Sequence, residues 1–210
     1  FNFLKSNNKT FIPYILLFIQ PIFMASNLVI ARGGTEFIPP ISLAFWRWTV
    51  CFLILLPFTF IYLKKNFNSF KDELIKLFVL GFLGCGICGA FPFLAGQTTT
   101  IINMGIIYSS SPIFIIIISS IFFKEKLSNS QYSGIFICLM GVILIIIKAD
   151  IYSLINLKFT VGDLWMLGAS IGWALYTIYL FHWKSDLPLI QRFTLISMFG
   201  AFSLFPFFIF

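Results

Sequence analysis

Charge is scarce in this chain. Of 210 residues only 7 are Asp or Glu and 14 are Lys or Arg, so charged residues make up 10% of the total against roughly 25% in an ordinary soluble domain. So few charged side chains cannot cover a water-facing surface on a chain that is 60% hydrophobic, which excludes a soluble globular domain and a disordered chain. There is one His and there are four Cys. A catalytic hydrolase would need embedded aspartates, a Ser–His pair or a metal cluster, and no such set is present. The Cys85-x-x-Cys88 pair lies in a Gly-rich apolar run without further ligands, so it reads as small packing residues and not as a zinc or redox site. No cofactor and no metal are expected. Period-2 alternation is absent too, which excludes a membrane barrel.

What the chain has is lipid-compatible length. Mean hydropathy is +1.00, and aromatics reach 20% with 29 Phe. No charge falls between Lys76 and Lys124, and other uncharged runs cover Thr10–Ala31, Trp48–Leu63, Leu127–Ile147, Leu164–Trp183 and Phe193–Phe210. A spanning helix needs about 20 apolar residues, so most runs hold one span. The longest holds two, with a turn at Gln97-Thr98-Thr99-Thr100 and Asn103. The expected fold is an all-α, polytopic transmembrane helix bundle with spans near 11–31, 40–63, 74–96, 101–123, 130–148, 162–182 and 188–210. Small residues four apart (Gly81, Cys85, Gly89; Gly168, Gly172) and the Gly134, Cys138, Gly141 face predict close backbone approach between helices.

Lys and Arg set the orientation. With the N-terminus cytoplasmic, that side receives Lys5, Lys9, Lys64, Lys65, Lys71, Lys76, Lys124, Lys126, Lys184 and Arg192. The other side receives Arg32, Lys148 and Lys158, with Arg47 embedded. The positive-inside rule favours this arrangement. It also accounts for the net charge of +7, which is therefore no sign of nucleic acid. The first apolar run is too long for a signal peptide. The chain starts on Phe1 and stops within an apolar run, as expected of a piece of a longer protein.

The polar residues inside the spans are the candidate site. Arg47 either faces a wet cavity and meets an anionic or carboxylate-bearing solute, or ties helices together through backbone carbonyls. Gln20 and Asn27 are seven apart and share one face of the first helix, with a kink expected at Pro21 between them. They either line a pathway or bond between helices. Tyr108-Ser109-Ser110-Ser111-Pro112 interrupts the fourth span. Its serines either repair the local backbone or offer hydroxyls to a solute. Trp173, Tyr176 and Thr177 form one face that could stack a planar solute. No Asp, Glu or His lies in the middle of a span, so no embedded carboxylate relay is visible.

An ordered set of short motifs adds a resemblance. Phe122-Phe123-Lys124-Glu125-Lys126-Leu127, Gln131, Gly134 and Gly141-Val142-Ile143-Leu144 are similar to the end of the five-helix repeat of EamA-type exporters of the drug/metabolite transporter superfamily. Gly96-Gln97-Thr98-Thr99-Thr100 with Asn103 and Tyr108–Phe114 resemble that repeat's third and fourth helices. Asn27 and Leu43-Ala44-Phe45-Trp46-Arg47 resemble its first two. Gly162-Asp163-Leu164 and Trp173-Ala174-Leu175-Tyr176 resemble the opening of a second copy. An internal echo, Phe23 and Asn27 against Trp173 and Thr177, is weak.

The resemblance implies ten helices in two inverted five-helix repeats, of which seven spans are present. Residues 1–10 would be a cytoplasmic segment, 11–148 the first repeat, 149–161 an external linker and 162–210 an incomplete second repeat. It implies a secondary transporter exporting small metabolites (amino acids, related compounds or drugs) by alternating access from a bacterial inner membrane, with the N-terminus in the cytoplasm. Its partners would be a small solute and the lipid bilayer, with a homodimer as a candidate assembly. The implied lining is Gln20, Asn27, Trp46, Arg47, Gln97, Asn103, Tyr108, Ser111, Trp173 and Tyr176, drawn from helices one, two, three, four and six. The fifth helix would pack at the rim through Gly134–Gly141. Glu125 reads as a cytoplasmic gate pairing with Lys124 or Arg192, or as a solvated interfacial charge. The competing class is a non-transporting or lipid-handling membrane scaffold.

Overall fold

A computed structural model describes residues 11–124, 128–147 and 160–209. Within them the chain is helical and contains no strand. Seven long helices follow in order: α1 (Phe11–Gly34), α2 (Pro40–Lys65), α3 (Lys71–Gly96), α4 (Ile101–Phe123), α5 (Asn129–Ile147), α6 (Val161–His182) and α7 (Leu189–Ile209). A single helical turn, Phe67–Phe70, precedes α3. Of the seven, α2, α3, α4, α6 and α7 are each long and apolar enough to cross a membrane when only described residues are counted. Helices prevail because hydrocarbon offers the backbone no hydrogen-bond partner. The protein is an all-α polytopic membrane bundle.

Local chemistry explains the helix ends. Pro40 opens α2, where a missing N–H costs nothing. The turn between α3 and α4 falls at residues 97–100, and the Thr100 hydroxyl caps α4 by accepting from the Asn103 N–H at 3.2 Å. Thr160 and Asp163 form a reciprocal capping box at the start of α6. Lys124 adopts a left-handed conformation (φ 52°) and ends α4. The expected break in α4 occurs at Ser110. α1 continues as helix through Pro21.

α3 is the central element, with about two-thirds of its core window buried against 6% for α2. The sequence makes this possible by placing a glycine wherever a neighbour arrives. A Cβ on Gly81 would stand 2.7 Å from the Ile196 carbonyl oxygen and 2.8 Å from the Gly200 nitrogen of α7. At Gly84 it would stand 2.7 Å from the Tyr176 ring of α6. At Gly89 it would strike the Trp48 indole of α2, and at Gly96 it would meet the Ala31 carbonyl oxygen of α1 at 2.5 Å. Four neighbours thus dock on four glycines of one helix, where packing alone must supply the attraction. Gly168 and Gly172 of α6 return the contact, facing Phe91 and Ile87 of α3. Between Phe82 and Ile87 α3 widens into a π-helical turn, a local insertion found often at functional sites.

One packing expectation is overturned. The Gly134–Gly141 face of α5 meets nothing: no described atom lies within 4 Å of where a Cβ would stand on either glycine. α5 instead touches the bundle lightly, beside the first half of α4.

Candidate functional site

α1, α3 and α4 line a half-open cavity of about 430 Å³. α1 contributes Ile19, Gln20, Phe23, Met24, Asn27 and Leu28, α3 contributes Cys88 and Pro92, and α4 contributes Tyr108. Gln20 lies nine residues, about 14 Å, into α1, near the middle of a hydrocarbon layer about 30 Å thick. The lining is apolar except for two amides and a phenol. Gln20 donates through Nε2 to the Met24 sulfur at 3.4 Å.

Arg47 stands behind this wall, seven residues into α2. Its Nη1 donates to Asn27 Oδ1 of α1, and its Nη2 donates to the Gly89 carbonyl of α3 at 3.3 Å. Its Cζ lies 5.0 Å from the ring centres of both Trp48 and Phe93, a double cation–π arrangement. Its Nε is buried without an acceptor among the described residues, as is the Trp48 indole nitrogen. Of the two readings of Arg47, the helix tie describes its position: it joins α1, α2 and α3 through Asn27 and the Gly89 carbonyl, and it is not itself part of the cavity lining.

An aromatic series runs outward from Tyr108. Its ring centre is 6.3 Å from Trp173, which is 5.5 Å from Tyr176. Tyr176 lies flat against Gly84. Gln20, Asn27, Arg47, Tyr108, Trp173 and Tyr176 are thus brought to one region, with Gln20, Asn27 and Tyr108 on the cavity wall. α2 and α6 act from the second row and do not line the cavity themselves.

The other candidates lie elsewhere. Trp46 is 54% exposed and points away from the cavity, edge-on to Phe45 and Phe208. Gln97 is exposed in the α3–α4 turn, where its carbonyl and that of Gly96 accept from Arg32. Asn103 lies in the first turn of α4, seven residues before the break, where its backbone N–H donates to the Thr100 hydroxyl. Ser111 is buried and donates to the Tyr108 carbonyl, while Ser109 and Ser110 donate to Ile106 and Ile107. The serines repair the backbone at the Pro112 break, the first of their two readings. Glu125 lies outside the described residues.

Several participants carry weaker signals in the sequence. Phe23 and Met24 fall between Gln20 and Asn27 at helical spacing, so the face was available from periodicity. The Gly89 carbonyl and Trp48 carry no such mark. Asp163 looks like a plain helix-end charge, yet it is buried and accepts from Thr99 and Thr160. Cys85 and Cys88 are packing residues: Cys85 fills the space beside Gly200, and Cys88 Sγ lies 3.3 Å from the Ala169 carbonyl. His182 stacks on Phe123 and bonds the Ile178 carbonyl. A second cavity of about 450 Å³ opens among α2, α3, α6 and α7. Its one hydroxyl, Ser203, donates to the Gly200 carbonyl at 2.7 Å.

The fold defines a polytopic integral membrane protein. Its sequence places it more narrowly: residues 11–147 match the model of the EamA-like transporter family, and the chain belongs to that family, within the drug/metabolite transporter superfamily. Among curated relatives, the uncharacterized transporter YyaM of Bacillus subtilis is 28% identical over 194 residues, covering 91% of this chain and 63% of its own length. An uncharacterized transporter of Archaeoglobus fulgidus is 27% identical over 172 residues, covering 82% and 57%. The uncharacterized transporter YetK of B. subtilis is 25% identical over 198 residues, covering 94% and 60%. The chain thus spans about 60% of the length of these relatives. No solved structure matches it.

Proposed function

We propose that the protein is a secondary transporter that exports small metabolites from the cytoplasm by alternating access. The observation that supports this most is the convergence of Gln20, Asn27 and Tyr108 on one mid-membrane cavity. Amides and a phenol left facing a void at that depth are costly unless they meet water or a solute. In this reading the chain supplies seven of ten helices in two inverted five-helix repeats. Residues 11–148 form the first, 149–161 an external linker and 162–210 part of the second. Rocking of the halves exposes the cavity to each side in turn. The N-terminus is cytoplasmic, the membrane is the bacterial inner membrane, and Glu125 serves as the cytoplasmic gate.

The rival reading is a lipid-handling scaffold, favoured by the apolar second cavity. A scaffold pairs its polar groups with one another, whereas here the Asn27 amide nitrogen and the Tyr108 hydroxyl have no partner among the described residues. The test loads cells with labelled amino acids, nucleobases and small organic carboxylates and follows retention with and without the full-length protein. Lower retention with the protein is expected; equal retention of every solute sinks the exporter reading.

A further inference from the structure

Behind the cavity wall stands a positive charge, Arg47, with no carboxylate bonded to it among the described residues. The titratable neighbours of Arg47 are Cys85, Tyr108 and Cys51, none of them a carboxylate. Its hydrogen-bond acceptors are a neutral amide and a neutral carbonyl, and its faces meet two aromatic rings. These spread the charge without neutralising it. The one buried carboxylate among the described residues, Asp163, is engaged by Thr99 and Thr160 at the start of α6. A charge at bilayer depth costs on the order of 3 kcal/mol on insertion scales, and among the described residues no ion pair offsets it.

That charge fixes what the cavity presents. A primary amide has an accepting end and a donating end. The oxygen of Asn27 is committed to the guanidinium, since the flipped amide would set N–H against N–H. The donating NH₂ is the end left over, and no described group accepts from it. Asn27 also lines the cavity, as does Tyr108. The remaining wall is mostly apolar, with Phe23, Leu28 and Pro92. The ligand that complements this lining has an accepting, negatively charged end and an apolar body. An ammonium group would meet an uncompensated cation and no carboxylate.

We propose that the cavity selects a small organic anion, an aryl or alkyl carboxylate, whose carboxylate accepts from the Asn27 amide. Arg47 is the positioning residue: it holds that amide donor-first and supplies the field that favours the anion. The proposal rests on the carrier reading and names the class of solute carried.

The test uses the full-length protein and three probes of one shape: phenylacetate, its neutral amide phenylacetamide, and the cation phenethylamine. Binding is read as the ligand-induced rise in melting temperature in detergent, and movement as flux in proteoliposomes. Phenylacetate is expected to bind at least tenfold more tightly than either analogue. Asn27→Asp sets a carboxylate against Arg47 and cancels the charge, so it is expected to abolish that preference while the unliganded melting temperature holds or rises. A purely structural Asn27 would keep the preference. Equal binding of phenylacetate and phenylacetamide by the unmodified protein, no binding of phenylacetate, or a preference that survives Asn27→Asp overturns the proposal. The two readings fail separately. Preferential phenylacetate binding with no flux of any probe removes the carrier and leaves the anion site, whereas flux with indiscriminate binding does the reverse.

Discussion

Replacing Gly81 by Ala adds one methyl at the tightest kind of seam in this bundle. The new carbon would stand 2.7 Å from the Ile196 carbonyl oxygen, 2.8 Å from the Gly200 nitrogen and 2.8 Å from the Phe199 Cβ. All three belong to the α7 frame, so no side chain can rotate aside. Ordinary contact begins near about 3.5 Å, so α7 must retreat by about 0.7 Å. A gap of that size forfeits roughly a quarter to a half of each dispersion contact along the seam, and the expected net loss is about 1–3 kcal/mol. The internal controls are the same substitution at Gly105 and Gly134, where nothing lies within 4 Å. There the better helix propensity of Ala predicts a gain of about 0.4–1 kcal/mol. Gly84→Ala should fall between, because its obstacle is the Tyr176 ring, a side chain that can yield. The assay is the melting midpoint of the purified full-length variants in one detergent. An order in which Gly81→Ala melts no lower than Gly134→Ala would refute the picture of α3 as a helix docked through its glycines.

Two further substitutions probe polar ties. Ser170 is buried in α6, and its hydroxyl reaches the Ile107 carbonyl at 3.1 Å beside the break in α4. Ser170→Ala should cost about 1 kcal/mol in the same melting assay, and an unchanged midpoint would argue against that tie. Asp163→Ala removes both the capping box and the link to Thr99; a loss of about 1–2 kcal/mol is expected. Asp163→Asn, which still accepts from Thr160, should lose less, and the reverse order would contradict the cap.

The positions of the helices were legible because the solvent is uniform. Hydrocarbon penalises every charge, so Lys76 and Lys124 bracket α3 and α4 almost as plainly as coordinates do. The α4 break was legible from Ser110–Pro112 because proline chemistry is local. Rotation about a helix axis was less legible, since it depends on partners remote in sequence. Trp46 and Trp48 flank Arg47 alike in the sequence, yet one faces outward while the other fills the notch at Gly89. The Arg47–Asn27 bond joins helices 20 residues apart, and spacing within either helix does not announce it. The Gly81, Cys85, Gly89 stripe was read correctly as a contact surface, but Gly84 and Gly86 off that stripe also receive neighbours, Tyr176 and Ser203. The reason is that α3 is buried on more than one side, so one stripe cannot hold all its contacts. Gly134 and Gly141 of α5 carry the same spacing with no described atom within 4 Å, so within this bundle small-residue spacing permits close approach without compelling it.

That widened turn gives α3 a tolerance of chain length that a regular helix lacks. Phe82–Ile87 accommodates a surplus residue. A π turn takes up about one residue more than an α turn for nearly the same rotation. Excising one of these six residues would let the turn tighten to regular pitch, with Gly81 still on α7 and Gly89 and Gly96 still on Trp48 and Ala31. A homologue one residue shorter here superposes on both flanks once the gap is closed, whereas a deletion elsewhere in α3 would turn everything downstream off its partners.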